Sequence, residues 1–357
     1  MRTQKLALMN KFKFYFIVLC SVVTLFSCNN VDTPTSTALR DFDEQYATDI
    51  TTIEDFLNTH YLEVTSNQDV TMTKIEAGDT NHSAIMTLLN GATFPKLLFK
   101  EVTLNSKIYK IYYLKLREDF ASGKAPSRVD GVLTSYRGSY LQYVYKQTPK
   151  KDSLGNIILD SYGNPVLEDY VDPITNAKVI ILANKDFEYN PYPTSFFGLD
   201  KLIQGWGEIF PLFKSGVVNP ASGNDPVSYS DFGAGVMFIP SGLGYFNKTQ
   251  TDQNGVIKIP GYSPLIFSFK LYDVSSADQD GDGVFSNDED TNHDGVFTND
   301  DSDGDGIQDY LDYDDDGDGV FTKVEIKNPA TGLPFPFNEI PVCTSGKKNY
   351  LDPTCHP

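Results

Sequence analysis

Leu202-Ile203-Gln204-Gly205-Trp206, Phe238-Ile239-Pro240-Ser241-Gly242-Leu243-Gly244-Tyr245, Ile259-Pro260 and Leu265-Ile266-Phe267 are the segments whose reading decides the fold. They set the chain's one tryptophan among aliphatic and aromatic residues, with no nucleophile–base pair between them. Side chains of that kind build a site from shape and exclusion of water. Around them, residues 108–116, 132–136, 236–239 and 265–271 are rich in β-branched and aromatic types and are expected to be strands. Residues 199–213 are the strong helical candidate of this half. A sheet with one helix packed across it predicts an α+β unit.

Upstream, Leu39, Phe42, Tyr46, Ile50, Ile53, Leu57 and Tyr61 recur at three- and four-residue steps. That period predicts an amphipathic helix, with Asp43, Glu44, Asp49, Glu54 and Asp55 on a solvated face. Residues 70–105 show no decisive period. Asp152-Ser153-Leu154-Gly155-Asn156 and Asp160-Ser161-Tyr162-Gly163-Asn164 are near-copies of one turn. They predict a hairpin excursion inside an insertion at about 139–186, with room to lie over the site.

Apolar residues make up 40% of the 357, which suits folded material, but the net charge of −19 needs locating. Between Asp278 and Glu325 eighteen Asp and Glu face one lysine, Lys323, so this stretch holds −17 and the remainder is close to neutral. With no basic stripe to displace counterions, nucleic acid is not an expected partner. The acids keep a spacing. Asp278-x-Asp280-x-Asp282-Gly283-x5-Glu289 and Asp314-x-Asp316-x-Asp318-Gly319-x5-Glu325 both satisfy the Asp-rich calcium loop. Between them come Asp290, Asn292 and Asp294, closed by Asp301, then Asp301, Asp303 and Asp305 with Asp309 and Asp312. Alternate carboxylates on a tight loop converge on a hard cation, and glycine permits the turn. The tandem resembles thrombospondin type-3 and other extracellular calcium repeats. The resemblance implies structural Ca2+ held with Kd on the order of 10⁻⁴–10⁻³ M.

At the N-terminus Arg2, Lys5, Lys11 and Lys13 precede an apolar run, residues 14–27, too short to span a bilayer comfortably. Its end, Leu25-Phe26-Ser27-Cys28, resembles the lipobox of bacterial lipoproteins. That implies lipidation of Cys28, a membrane anchor in the cell envelope and a polar tether over residues 29–37. Asn29 in place of Asp favours the outer membrane, either face. With Cys20 in the removed segment, Cys343 and Cys355 remain, and an oxidising compartment would pair them.

The series Tyr136-Arg137-Gly138, Phe187-Glu188, Leu202-Ile203-x-Gly205-Trp206, Gly216, Ile239-Pro240-Ser241-x-Leu243-x-Tyr245, Ile259-Pro260 and Leu265-x-Phe267 resembles the FKBP family of peptidyl-prolyl isomerases over about 107–274. The resemblance implies an antiparallel sheet curled around a short helix, and rotation of X–Pro bonds in proline-containing polypeptide clients without a catalytic cofactor. It implies Trp206 as pocket floor and Tyr136, Phe187, Leu202, Ile203, Ile259 and Phe267 as walls. Tyr245 and the Ile203 N–H would donate to the bound peptide, with Phe196, in preference to Phe197, as a further wall. Glu188 stands where the family has Asp, and Phe246 where it usually has Gly.

The expected order is thus a lipoprotein signal peptide (1–28), a tether and helical region (29–106), an FKBP-like unit (107–275), Asp-rich calcium repeats (276–326) and a tail (327–357). Three functions fit it. One is an envelope isomerase assisting exported proteins; the second is a catalytically weak binding module of the same fold in envelope assembly or motility. The third is a calcium-dependent adhesin with a vestigial pocket.

Overall fold

The computed structural model describes residues 39–221 and 227–355; the expected signal peptide, Cys28 and the tether lie outside them. Helix α1 (Phe42–Thr59) is capped by Asp41, whose carboxylate accepts the Asp43 N–H. It runs into a hairpin, β1 (His60–Val64) with β2 (Val70–Lys74), in the region that showed no period. β3 (Lys96–Leu104) then pairs with β4 (Lys107–Lys115), so the sheet starts upstream of the expected boundary at 107.

β5 (Gly131–Tyr145) and β8 (Ile180–Asn190) stay paired out to Tyr145 and Ile180. The excursion is therefore confined to 146–179, with β6 (Gln147–Pro149) on β7 (Leu167–Asp169). Its twin turns are alike in structure: Asp152 accepts the N–H groups of Leu154 and Asn156, and Asp160 those of Tyr162 and Asn164. The ladder leaves from the end of β5, roughly 30 Å along the strand from Tyr136 at strand rise.

β9 (Phe197–Gly198) adds to the start of β5. The expected helix at 199–213 is broken into three. Only α2 (Gln204–Ile209) is α-helical, between 3-10 turns at Leu199–Lys201 and Phe210–Leu212; extended Leu202 and Ile203 part it from the first, and Pro211, with no N–H to donate, ends it at the second. β10 (Val217–Asn219) pairs with β11 (Ser228–Ser230), then β12 (Gly233–Ile239), β13 (Gln250–Thr251), β14 (Ile257–Ile259) and β15 (Leu265–Ser275) follow. The main sheet is antiparallel and seven-stranded, in the order β3-β4-β12-β15-β5-β8 with β9 beside β5. This mostly antiparallel sheet with few helices is an α+β fold.

Both faces of the sheet are covered. On β12, Met237 and Ile239 pack with Trp206, while Val236 and Phe238 join Ile53, Phe56 and Leu57 of α1. β15 divides likewise, with Phe267, Phe269 and Leu271 on the α2 side and Ile266 on the α1 side. Two buried faces explain why these strands read as unbroken apolar runs.

The acidic side of α1 departs from expectation. Asp49 is only 1% exposed; its carboxylate accepts the Ser241 N–H (2.7 Å), the Ser241 hydroxyl (2.6 Å) and the Gln45 side-chain amide (2.6 Å). Glu54 accepts the Tyr112 hydroxyl and Asp55 that of Tyr143. Helical period locates an apolar stripe but cannot reveal donors arriving from strands.

C-terminal to β15 the repeats and the tail share a small core of Val284, Ile326, Ile340 and Tyr350, with α3 (Thr322–Glu325) beside it and Cys343 bonded to Cys355.

Burial pushes the Asp49 carboxyl up to about 6, against hydrogen bonds from Ser241 and Gln45. A folded-state pKa above the unfolded one means the native chain holds a proton that the unfolded chain releases, so this site's contribution to stability falls as pH rises through about 6. Urea unfolding at about pH 5 and about pH 7.5 should show the wild type losing more stability than Asp49→Asn between the two. Asp49→Ala leaves the Ser241 donors without their acceptor and should cost about 2–4 kcal/mol. Equal pH slopes for the Asp and Asn chains would assign the titration elsewhere.

Candidate functional site

Trp206 lies in the first turn of α2, pressed onto the sheet. The helix comes this close because residue 205 is glycine: a Cβ there would meet Ile239 Cδ1 at 2.7 Å. The indole stands edge-to-face with Tyr136 of β5 (5.1 Å between centroids) and Phe267 of β15 (5.2 Å), a favoured aromatic geometry. Phe187 meets Phe267 at 5.6 Å. It gets there through a β-bulge, for Gly138 and Ser139 pair with Glu188 and Asp186 and leave Phe187 as the extra residue. Gly138 makes the room: a Cβ on it would lie 2.5 Å from Phe187 Cζ and 2.9 Å from Phe267 Cε1.

Ile259 is buried in the same cluster, and Leu202, Ile203 and Tyr245 stand half-exposed at its margin. The further wall needs correcting. Phe197 turns its ring to Tyr136 at 6.0 Å, whereas Phe196 is exposed with its Cβ beside Gly131. Phe197 opens β9 and Phe196 precedes it, and of the two only Phe197 has a ring contact with the box among the described residues. Glu188 is exposed at the rim. Burial first, then a hydrogen bond to Glu188, raises the Tyr136 phenol above its ordinary range; burial, then the Glu188 charge, raises that of Tyr245. Neither the Ile203 N–H nor the Tyr245 hydroxyl is hydrogen-bonded to a described residue. The arrangement offers a buried aromatic floor, an apolar rim and two unspent donors.

The loop that carries Tyr245 is held from α1. Besides the Asp49–Ser241 bonds, Phe246 adopts φ +48°, the left-handed region that favours glycine, and its ring stacks on Phe42 at 4.4 Å. Tyr262 packs edge-on against Phe246, under the Arg40 guanidinium. Packing on α1 is thus what offsets a phenylalanine where the resemblance expects glycine. Leu202, Ile203 and Tyr245 also line a groove of about 1030 Å³, whose other wall includes Phe297 and Tyr310 of the repeats. Near its base the buried Glu208 pairs with Lys100 (2.9 Å) and Arg128 (2.7 Å) and fixes α2.

In the repeats, oxygens of Asp278, Asp280 and Asp282 converge within 4.8 Å, as do those of Asp301, Asp303 and Asp305 and of Asp314, Asp316 and Asp318. Glu289 and Glu325 are buried and none of their four carboxylate oxygens has a hydrogen-bond partner among the described residues; Asp280 and Asp282 each leave one such oxygen. Burial, then Asp282 and Asp315, pushes the Glu289 carboxyl up to about 11, and burial, then Asp316 and Asp318, pushes Glu325 up to about 8. Buried carboxylates without donors are costly unless a cation compensates them, and an oxygen-only set suits Ca2+. Other expected ligands are engaged inside their loops. Asp290 accepts the Asp294 and Gly295 N–H groups, Asn292 and Asp294 cap N–H groups two residues on, Asp309 accepts from Ser302, and Asp312 from the Asp314 N–H. The sequence reading missed Asp300 and Asp315, both buried with one oxygen that has no hydrogen-bond partner among the described residues. The visible signal was the doubled acid, Asp300-Asp301 and Asp314-Asp315, which breaks the alternation.

Residues 279–350 match the family described as BamM C-terminal. No curated protein matches the chain in sequence. Similar solved structures include a peptidyl-prolyl cis-trans isomerase from Pseudomonas syringae pv. tomato, 18% identical with TM-score 0.27, covering 50% of this chain and 80% of that one. FkpA from Escherichia coli is 22% identical with TM-score 0.22, covering 49% and 51%. A multi-domain immunophilin from Arabidopsis thaliana is 11% identical with TM-score 0.22, covering 50% and 46%. Among the described residues no helix is long and apolar enough to cross a membrane.

Gly138→Ala should force the Phe187 and Phe267 rings apart and cost about 1–3 kcal/mol as an overpacked site. With a single tryptophan in the chain, a shift of Trp206 emission in the folded protein reports the displaced walls. An unaltered spectrum at unaltered stability would show that the rings do not depend on this glycine.

Proposed function

We propose that the chain is an FKBP-type peptidyl-prolyl isomerase of the cell envelope, acting on proline-containing segments of exported proteins. The observation that carries this is the Tyr136–Trp206–Phe267 box with two donors at its rim, Ile203 N–H and Tyr245 hydroxyl, that are not hydrogen-bonded to any described residue. Rotation about X–Pro has an intrinsic barrier of about 18–20 kcal/mol because amide resonance is lost at the twist. The planar amide is the more dipolar form, so water favours it; an apolar box accepts the proline ring and removes that advantage. Tyr136, Phe187, Phe197, Leu202, Ile259 and Phe267 enclose the ring over Trp206, while Tyr245 and Ile203 hold the flanking carbonyls. Lowering the barrier by about 5–6 kcal/mol gives about 10⁴-fold acceleration by differential binding of the twisted state. Glu188 stands beside the Tyr136 phenol and raises its pKa, after burial.

Ca2+ at the Asp-rich loops is structural in this reading, holding Phe297 and Tyr310 where they face the groove. Lipidated Cys28 supplies the membrane anchor, and the Cys343–Cys355 bond suits an oxidising compartment. The match of the C-terminal segment to the BamM C-terminal family favours the second reading, in which the same pocket binds proline segments during envelope assembly with little turnover.

A proline-peptide isomerisation assay separates the two. An enzyme should lose at least about tenfold in kcat/KM with Trp206→Ala and about fivefold with Tyr245→Phe, the worth of one hydrogen bond. Rates equal to the uncatalysed reaction in all three proteins, with peptide binding lost only in the variants, would mark a binding module instead.

Chelation tests the metal. At a hundredfold excess over Kd each Ca2+ should add about 2.7 kcal/mol to the stability of the C-terminal segment, lost in EGTA and restored by Ca2+ but not by Mg2+. Thermal midpoints indifferent to EGTA would remove calcium from the account.

A further inference from the structure

The first and fourth acidic loops meet. One oxygen each from Asp282, Glu289 and Asp315 lies within 4.8 Å of the others, and each of the three residues is 1% exposed. Both oxygens of Glu289, Asp282 Oδ2 and Asp315 Oδ1 have no hydrogen-bond partner among the described residues. Among the described residues none of the three forms an ion pair with lysine or arginine.

The second position of each loop shows why Asp315 is unusual. Gln279, Thr291, Ser302 and Asp315 occupy it, and each hydrogen-bonds a side chain further along its own loop: Ser286, Asp300, Asp309 and Thr322. Uncharged residues suffice for that latch three times. In the fourth loop the latch uses Asp315 Oδ2, accepting the Thr322 hydroxyl at 2.8 Å, and Oδ1 is left over in the cluster with Asp282 and Glu289. A full negative charge buried beyond what the latch requires is costly unless something positive meets it.

We propose that Asp315 is a ligand to the divalent cation of the first loop, so that one buried, oxygen-only site is shared between the two ends of the tandem. This rests on reading the loops as calcium sites and assigns one of them a ligand from outside its own sequence. The first site is then complete only when the fourth loop has folded against it, and its occupancy locks the tandem closed.

The test is a calcium titration of the metal-stripped full chain, with bound ions counted by equilibrium dialysis. Asp315→Asn keeps an acceptor for Thr322 and removes the charge; Asp315→Ser installs the residue the third loop carries there; Thr322→Ala removes the latch and keeps the carboxylate. Both Asp315 variants should lose one ion or weaken its site by more than roughly a hundredfold, whereas Thr322→Ala keeps the number of ions and weakens that site by at most the roughly 10–100-fold that loss of a supporting partner costs. The proposal is overturned if whichever Asp315 variant folds binds like the wild type while Asp280→Asn loses an ion, for then the first loop completes its own site. It is equally overturned if Thr322→Ala reproduces the Asp315 defect. A wild-type chain that takes up no Ca2+ would remove the calcium reading itself, and this inference with it.

Discussion

A side chain on residue 205 would sit 2.7 Å from Ile239, and the site depends on that missing atom. α2 has six residues, far short of what propagates as an isolated helix in water. It exists because it is pressed to the sheet at Gly205, anchored by Glu208 to Lys100 and Arg128, and weighted by a buried indole. Move the helix outward by the width of a methyl group and Trp206 loses its edge-to-face contacts with Tyr136 and Phe267 together. Gly138 imposes the same demand from the other side of the box. Both glycines are there for space rather than for backbone freedom.

The sheet carries a second obligation that a one-faced sheet would not. β12 and β15 serve the aromatic box with alternate residues and the α1 core with the others. A change in Met237 or Ile239 is felt on one face and a change in Val236 or Phe238 on the other, yet all four share one backbone. α1 therefore acts on the site in two ways. It stiffens the strands beneath the box, and through Asp49, Ser241, Phe42 and Phe246 it holds the loop that ends in Tyr245. The departure from glycine at 246 makes sense only together with α1, since the ring that strains the backbone is the ring that docks the helix.

The box was legible in the sequence to the extent that its members advertise themselves by residue type and order. Trp206 after Gly205, the run from Ile239 to Tyr245, and Ile259 with Phe267 name their own positions. What escaped were facts of direction and partnership. Phe196 and Phe197 are neighbours of one residue type, and sequence supplies no reference for which of them reaches Tyr136. Asp49 carries the charge and helical phase of a solvated residue, and only the Ser241 N–H and hydroxyl, contributed from far along the chain, put it inside. β3 went unread because its partner strand, not its own period, defines it. The excursion lies inside the expected insertion but is shorter than it, because β5 and β8 continue as a pair well past the part that touches the site.

The acidic segment poses the opposite problem, since its pattern was plain and its packing was not. Seventeen net negative charges in a stretch that folds around Val284, Ile326, Ile340 and Tyr350 repel one another at distances well inside the screening length of physiological salt. Backbone N–H groups absorb part of that charge, as at Asp290 and Asp301, but Glu289, Glu325 and Asp315 receive no such help at their unpartnered oxygens. The segment is also tied to the sheet: Asp130 accepts the Ala277 N–H, and Gln279 donates to the Val129 carbonyl, beside the residues that line the groove. Phe297 and Tyr310 face Ile203 and Tyr245 only while the loops that carry them keep their shape. The shape of those loops is therefore also a condition on that wall of the groove.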